Sequence, residues 1–141
     1  RNFICTDKTA SEIKLIDFGL TLPAKKAFMQ PGNRTGTPLY MAPEVIRRRW
    51  TDERLDIFAF GVTAYHICTF ELPWPVSETS GLAALVHDTK EPKDIFAIHA
   101  NLNRTLGKAI MRCLEPIAKQ RTPSMETFLL QIRRAESELE N

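Results

Sequence analysis

Ile16-Asp17-Phe18-Gly19 and Gly36-Thr37-Pro38-Leu39-Tyr40-Met41-Ala42-Pro43-Glu44 bracket the stretch on which the reading of this chain turns. A short apolar run, Glu12 to Ile16, leads in as a strand and delivers the Asp17 carboxylate at its end; Gly19 then lets the chain turn sharply. A carboxylate so placed suits a hard cation such as Mg²⁺. Between the two halves, Leu20 to Thr35 holds Pro23, Pro31, Gly32 and two lysines with little periodicity, which is the composition of a loop. The closing half sets the Thr37 hydroxyl beside a proline-stiffened, partly apolar loop able to cradle an extended peptide, and Pro43-Glu44 begins a helix.

Upstream, Asn2-Phe3-Ile4-Cys5-Thr6 is a second β-prone run, and the polar residues Asp7 to Ser11 join the two as a hairpin. Downstream, the pattern is helical. Glu44 to Arg49 reads as a short helix ending in three arginines, whose charge is favourable at a helix C-terminus and ordinarily solvated. Thr51 or Asp52 caps a helix through Cys68 that is apolar nearly all round, as expected of the central core helix. Phe70 to Pro75 cannot continue it past its prolines. An amphipathic helix is expected over about Ser80 to Asp88, then a charged connection from Glu91 to Asn101. Asn103 or Thr105 caps the next helix, to about Leu114, and a last amphipathic helix carries Met125, Phe128, Leu129 and Ile132. Charged Ala135 to Asn141 reads as a fraying tail, outside a unit of residues 1–134.

The 141 residues are 43% apolar and 26% charged, a globular balance, and 19 basic against 17 acidic residues leave a net charge of +2 that argues against a dedicated nucleic-acid binder. Cys5, Cys68 and Cys113 are odd in number, far apart and lack paired His or Cys spacing, so neither a disulfide framework nor a zinc site is indicated. A reducing, cytoplasmic setting fits best. No long uncharged apolar run is present, so no membrane contact is expected within these residues.

Taken together, Asp17-Phe18-Gly19, Ala42-Pro43-Glu44 at a fitting distance, and Asp56-x-Phe58-x-x-Gly61 resemble the eukaryotic-type serine/threonine protein kinases. The resemblance implies a mainly α (α+β overall) fold, namely the large lobe of a kinase with an N-terminal β-hairpin, as an incomplete domain. It implies ATP and Mg²⁺ as cofactors and protein substrates bearing Ser or Thr. Asp17 and Asn2 are then the Mg²⁺ ligands, with Phe18 and Gly19 shaping the turn. The catalytic Asp would fall five residues before Asn2, ahead of Arg1, and a fragment lacking it and the ATP-covering lobe is expected to be inactive alone.

By the same resemblance, Thr37 hydrogen-bonds towards the catalytic loop and marks the Ser/Thr form. Leu39 and Tyr40 shape the surface facing the substrate residue after the acceptor, although either could be plain core filling. Thr35 is the best-placed hydroxyl for regulatory phosphorylation, although Asn33 stands about where many relatives carry the phosphorylated residue and Thr35 could be a plain polar loop residue. Asp56 is expected to be buried and to cap catalytic-loop amides, and Phe58 stands where the family carries Trp. Arg121, retained from a closing motif whose Asp-Pro is lost, is expected to pair with Glu44. The competing reading is a pseudokinase-type protein-binding module.

Overall fold

The computed structural model describes residues 2–32, 36–74 and 81–139, with only the backbone of 81–83. Strands β1 (Phe3–Cys5) and β2 (Ile13–Leu15) pair antiparallel with Phe3 opposite Leu15 and Cys5 opposite Ile13. Asp7 closes the turn by accepting hydrogen bonds from the Ser11 amide and hydroxyl. Every strand residue is exposed.

The helical body is built around α2 (Arg54–Thr69), against which α4 (Arg104–Cys113) packs; α5 (Met125–Leu139) packs on α4 in turn. Ile57, Phe58, Gly61, Val62, Tyr65 and Thr69 recur at helical spacing and are buried, forming the core with Ile110, Cys113, Leu114 and Phe128. Gly61 permits the close approach of α2 and α4. A Cβ there would lie 2.6 Å from the Cys113 Cβ and 3.1 Å from Leu114 Cδ2. Gly61→Ala is therefore expected to destabilise. Overpacking costs about 1–3 kcal/mol, against roughly 0.8–1 kcal/mol gained in helix propensity, so thermal melting should show a lower Tm rather than a higher one.

Several local expectations are corrected. Helix α1 covers only Pro43–Ile46, because Arg47 is its C-cap and Arg48, at φ 51°, turns into the left-handed region. The three arginines thus follow the helix, and Arg47 is not simply solvated: it donates two hydrogen bonds to the Asp88 carboxylate. Asp52 accepts from the Arg54 amide, so it serves the start of α2 one residue ahead of the cap position. In place of an amphipathic α-helix at about Ser80 to Asp88 there is a 3₁₀ helix, Gly81–Val86, and Ser80 lies outside the described residues.

A further short helix, α3 (Ile95–Ile98), interrupts the 91–101 connection, N-capped by Asp94, which accepts from the Phe96 amide. Asn103 caps α4 by accepting from the Leu106 amide, while Thr105 instead donates to Glu138. That contact, together with a buried Ala135, carries α5 through Leu139, where a fraying tail was expected. Helix α2 is buried along one side only: Asp56, His66 and Ile67 face solvent.

Candidate active site and the clamp behind it

The hairpin places Asn2 and Asp17 at the same end of the sheet, since the Ile16 amide donates to the Asn2 carbonyl at 2.8 Å and Asp17 is the next residue. Both are exposed, and neither side chain has a hydrogen-bond partner among the described residues. Asp17 sits at φ 65°, a left-handed conformation that Asp tolerates better than most side chains. Non-glycine residues held there concentrate at functional sites. Its Oδ1 lies 3.5 Å from where a Cβ on residue 19 would stand, an ordinary contact distance. A carboxylate and a side-chain amide oxygen, close in the chain pairing and unengaged, fit a hard oxygen-seeking cation such as Mg²⁺. Phe18 is exposed.

The connection between the two motifs is anchored midway. Met29 is buried, and its carbonyl accepts from the Thr51 amide at 3.1 Å and from the Thr51 hydroxyl at 3.3 Å. The Thr35 site lies outside the described residues. Thr37 is exposed and stands at the start of a 3₁₀ turn, Pro38–Tyr40, which packs against α2 and residues 81–86. Leu39 and Tyr40 are half-buried within that turn, and Tyr40 packs against the core.

Behind the turn, Arg121 forms a fully buried clamp. Its Nη1 and Nη2 donate to the two Glu44 carboxylate oxygens at 2.7 and 2.8 Å. The remaining donors go to backbone carbonyls: Arg54 at 2.9 Å, Glu115 at 2.8 Å and Pro116 at 3.2 Å. The guanidinium also lies 5.1 Å above the centre of the Phe58 ring. A bidentate fork of this kind fixes orientation as well as charge. It joins the end of the 17–44 segment to α2 and to the turn before α5. Asp56, expected to be buried beside this machinery, is instead exposed.

The role of His87 was not legible in the sequence. It is buried, its Nδ1–H donates to the Met41 carbonyl at 2.9 Å, and its ring lies 4.4 Å from Trp74 and 5.5 Å from Phe58. Since a carbonyl can only accept, this contact selects the Nδ1–H tautomer. Trp74 Nε1 donates to the Lys90 carbonyl and the Tyr65 hydroxyl to the Lys93 carbonyl, so residues 87–93 are tied to α2. A histidine directly after the apolar run Leu82–Val86 was the signal that could have marked it.

Burial pushes the His87 imidazole below its ordinary value, opposed by the Met41 carbonyl and by Asp88. Its unfolded value is near 6.5. The unfolded chain therefore takes up the proton first, and the stabilisation from neutral His87 is complete above that pH. It is lost as pH falls through the lower folded value. Melting between pH 7 and 5 should show Tm falling with acid, and His87→Asn, which can present an N–H but does not titrate, should flatten that slope.

Among the described residues, no helix is long and apolar enough to cross a membrane. Compared with known proteins, residues 1–131 match the model of the protein kinase domain. The chain is similar to the serine/threonine-protein kinase Pkn1 of Myxococcus xanthus, at 34% identity over 130 residues, covering 88% of the chain and 18% of that protein. It is similar also to the serine/threonine-protein kinase CTR1 of Arabidopsis thaliana, at 37% over 102 residues, covering 72% of the chain and 12% of that protein. A third relative, the calcium-dependent protein kinase 13 of Arabidopsis thaliana, is 32% identical over 137 residues, covering 90% of the chain and 24% of that protein. The chain thus spans less than a quarter of the length of these curated relatives. The match over residues 1–131, with Asp17-Phe18-Gly19 on a turn and Ala42-Pro43-Glu44 clamped by Arg121, means that the chain belongs to the protein kinase domain family.

Proposed function

We propose that residues 1–134 are most of the large lobe of a serine/threonine protein kinase, whose parent protein transfers the γ-phosphoryl group of ATP to Ser or Thr hydroxyls of proteins. The observation that carries this reading is that Asn2, paired with Ile16, and Asp17, the next residue, lie at one end of the hairpin, both exposed. Mg²⁺ bound there with ATP would neutralise charge developing on the transferred phosphoryl group. Asp17 and Asn2 would hold the ion, with Phe18 and Gly19 shaping the turn. Thr37, exposed beside the Pro38–Tyr40 turn, would orient the catalytic loop, and Leu39 with Tyr40 would contact the substrate residue after the acceptor. Thr35 would be the phosphorylated residue of the segment. A cytoplasmic site of action accords with the three free thiols at Cys5, Cys68 and Cys113.

The test is radiolabelled phosphate transfer to a generic Ser/Thr substrate by the protein containing this lobe together with an ATP-covering lobe. Asp17→Asn should reduce the rate by about 10²–10³-fold, the scale of losing one preorganised electrostatic contact. The 141-residue chain alone should transfer nothing. If Asp17→Asn leaves the rate unchanged, the metal assignment is wrong; if the longer protein is inactive but retains partners, the binding-module reading replaces it.

A further inference from the structure

Between α1 and α2, Arg48-Arg49-Trp50 takes no part in the site described above. The backbone of this loop is fixed: the Arg48 amide donates to the Val45 carbonyl at 3.1 Å and the Arg49 amide to the Glu44 carbonyl at 2.8 Å. Its side chains are turned outward, with Arg48 and Arg49 exposed and Trp50 64% exposed. The bonds from Thr51 to the Met29 carbonyl set a second stretch alongside. Phe28, 39% exposed, precedes Met29 as Trp50 precedes Thr51, and exposed Lys25 and Lys26 lie within a turn of it. Among the described residues, none of the four cationic side chains Lys25, Lys26, Arg48 and Arg49 makes a hydrogen bond or ion pair. Asp88 and Asp52 are already paired, with Arg47 and Arg54, which leaves Glu53 as the exposed acid of the adjoining turn.

Two stitched stretches therefore present four unpaired cations around two aromatic rings left in water. Amphipathic Trp settles at the headgroup level of a bilayer, and Lys or Arg beside it is drawn to acidic lipid. A protein partner fixes cations through directed hydrogen bonds at a packed interface. Here the four heads stand unrestrained on long stems, an arrangement suited to a diffuse plane of charge. Nucleic acid is the poorer match for a chain of net charge +2. We propose that this patch is a peripheral contact for the acidic phospholipid headgroups of a bilayer, with Trp50 and Phe28 seated at headgroup depth and the four cations against the lipid phosphates. The expectation of no membrane contact rested on the lack of a long apolar run, and a contact that lies on the surface needs none. Because Met29 belongs to the connection between the two motifs, the contact would hold that connection at the bilayer. It does not depend on phosphoryl transfer.

The chain carries its own reporter. Of its two tryptophans, Trp74 is buried with its indole bonded to the Lys90 carbonyl, so a change in emission reports Trp50. The 141-residue chain is titrated with phosphatidylcholine vesicles containing about 30% phosphatidylglycerol, enough to give a negative surface potential. A saturable blue shift is expected, absent with phosphatidylcholine alone and diminished by salt. Arg48→Gln combined with Arg49→Gln should weaken partitioning roughly fivefold for each cation lost, about 25-fold for the pair. Arg47 is left intact because it pairs with Asp88. Lys25→Gln combined with Lys26→Gln, on the other stretch, should weaken it by a similar factor, so a folding defect confined to the arginine loop does not decide the result. Trp50→Phe should abolish the shift. Equal partitioning into neutral vesicles, unchanged affinity in both double variants, or a shift that persists in Trp50→Phe would each overturn the proposal. So would an equal shift with soluble polyglutamate or an oligoribonucleotide, which would assign the patch to an acidic protein segment or to nucleic acid instead.

Discussion

Arg121→Ala is expected to destabilise the fold by about 3–5 kcal/mol, the cost of removing one partner from a buried ion pair. In a chain of this size that corresponds to a fall in Tm of roughly 10–20 °C. The loss exceeds that of an exposed pair because the Arg121 side chain is 0% exposed and Glu44 is buried with it. The substitution strands the Glu44 carboxylate and also leaves the carbonyls of Arg54, Glu115 and Pro116 without their donor. Arg121→Lys keeps the charge but replaces a planar fork with a point charge, so it should recover only part of the loss. Glu44→Leu combined with Arg121→Met removes both charges. An isolated buried pair can tolerate such a replacement, but here the three carbonyls stay unsatisfied and recovery should again be incomplete. Urea unfolding of the four members of that cycle measures the coupling. Amide exchange should accelerate over residues 36–46 in Arg121→Ala, because the clamp is what ties them to α2.

How much of this arrangement could be read from residue order depended on how local the cause was. The hairpin was legible because alternating β-prone runs flank a polar turn, and the central helix because an apolar run of that length has few alternatives. The Glu44 and Arg121 pairing spans 77 residues and no periodicity carries it; it came from the family resemblance. The 3₁₀ form of the helix at Gly81–Val86 is not legible in the sequence, since one or two turns of apolar residues satisfy either spacing. The extension of α5 through charged residues depends on Glu138 meeting Thr105 and Arg134, and the first of these contacts lies across the packed pair of helices. Asp56 shows the same limit from the other direction. An acidic residue at a helix start is legible, whereas its exposure depends on which elements cover that end.

The same reasoning gives the largest core effect at Phe58. Its side chain is fully buried, stacked on Trp74 at 5.8 Å with an interplanar angle of 20°, beside His87 and beneath the Arg121 guanidinium. Phe58→Ala should cost about 3–5 kcal/mol through lost burial and the cavity left behind. It should also loosen Arg121 by removing the ring face under the cation, worth about 0.5–2 kcal/mol. Phe58→Leu separates these effects: the floor is largely refilled while the π-face is lost, so the cost should be well below that of Ala, yet coupling to Arg121 should vanish in a double-mutant cycle.

Phe58→Trp tests fit rather than hydrophobicity. The kinase resemblance carries Trp at this place, but here the space beside the ring is taken by Trp74 and His87. The added ring must displace one of them, at about 1–3 kcal/mol. Pairing Phe58→Trp with Trp74→Phe returns the volume to the other side of the stack and should restore part of the stability, although Phe at 74 cannot donate to the Lys90 carbonyl as the indole does. Full recovery would mean that the indole hydrogen bond contributes little. No recovery would mean that the overpacking falls on His87, and the Met41 contact should then be the first to exchange.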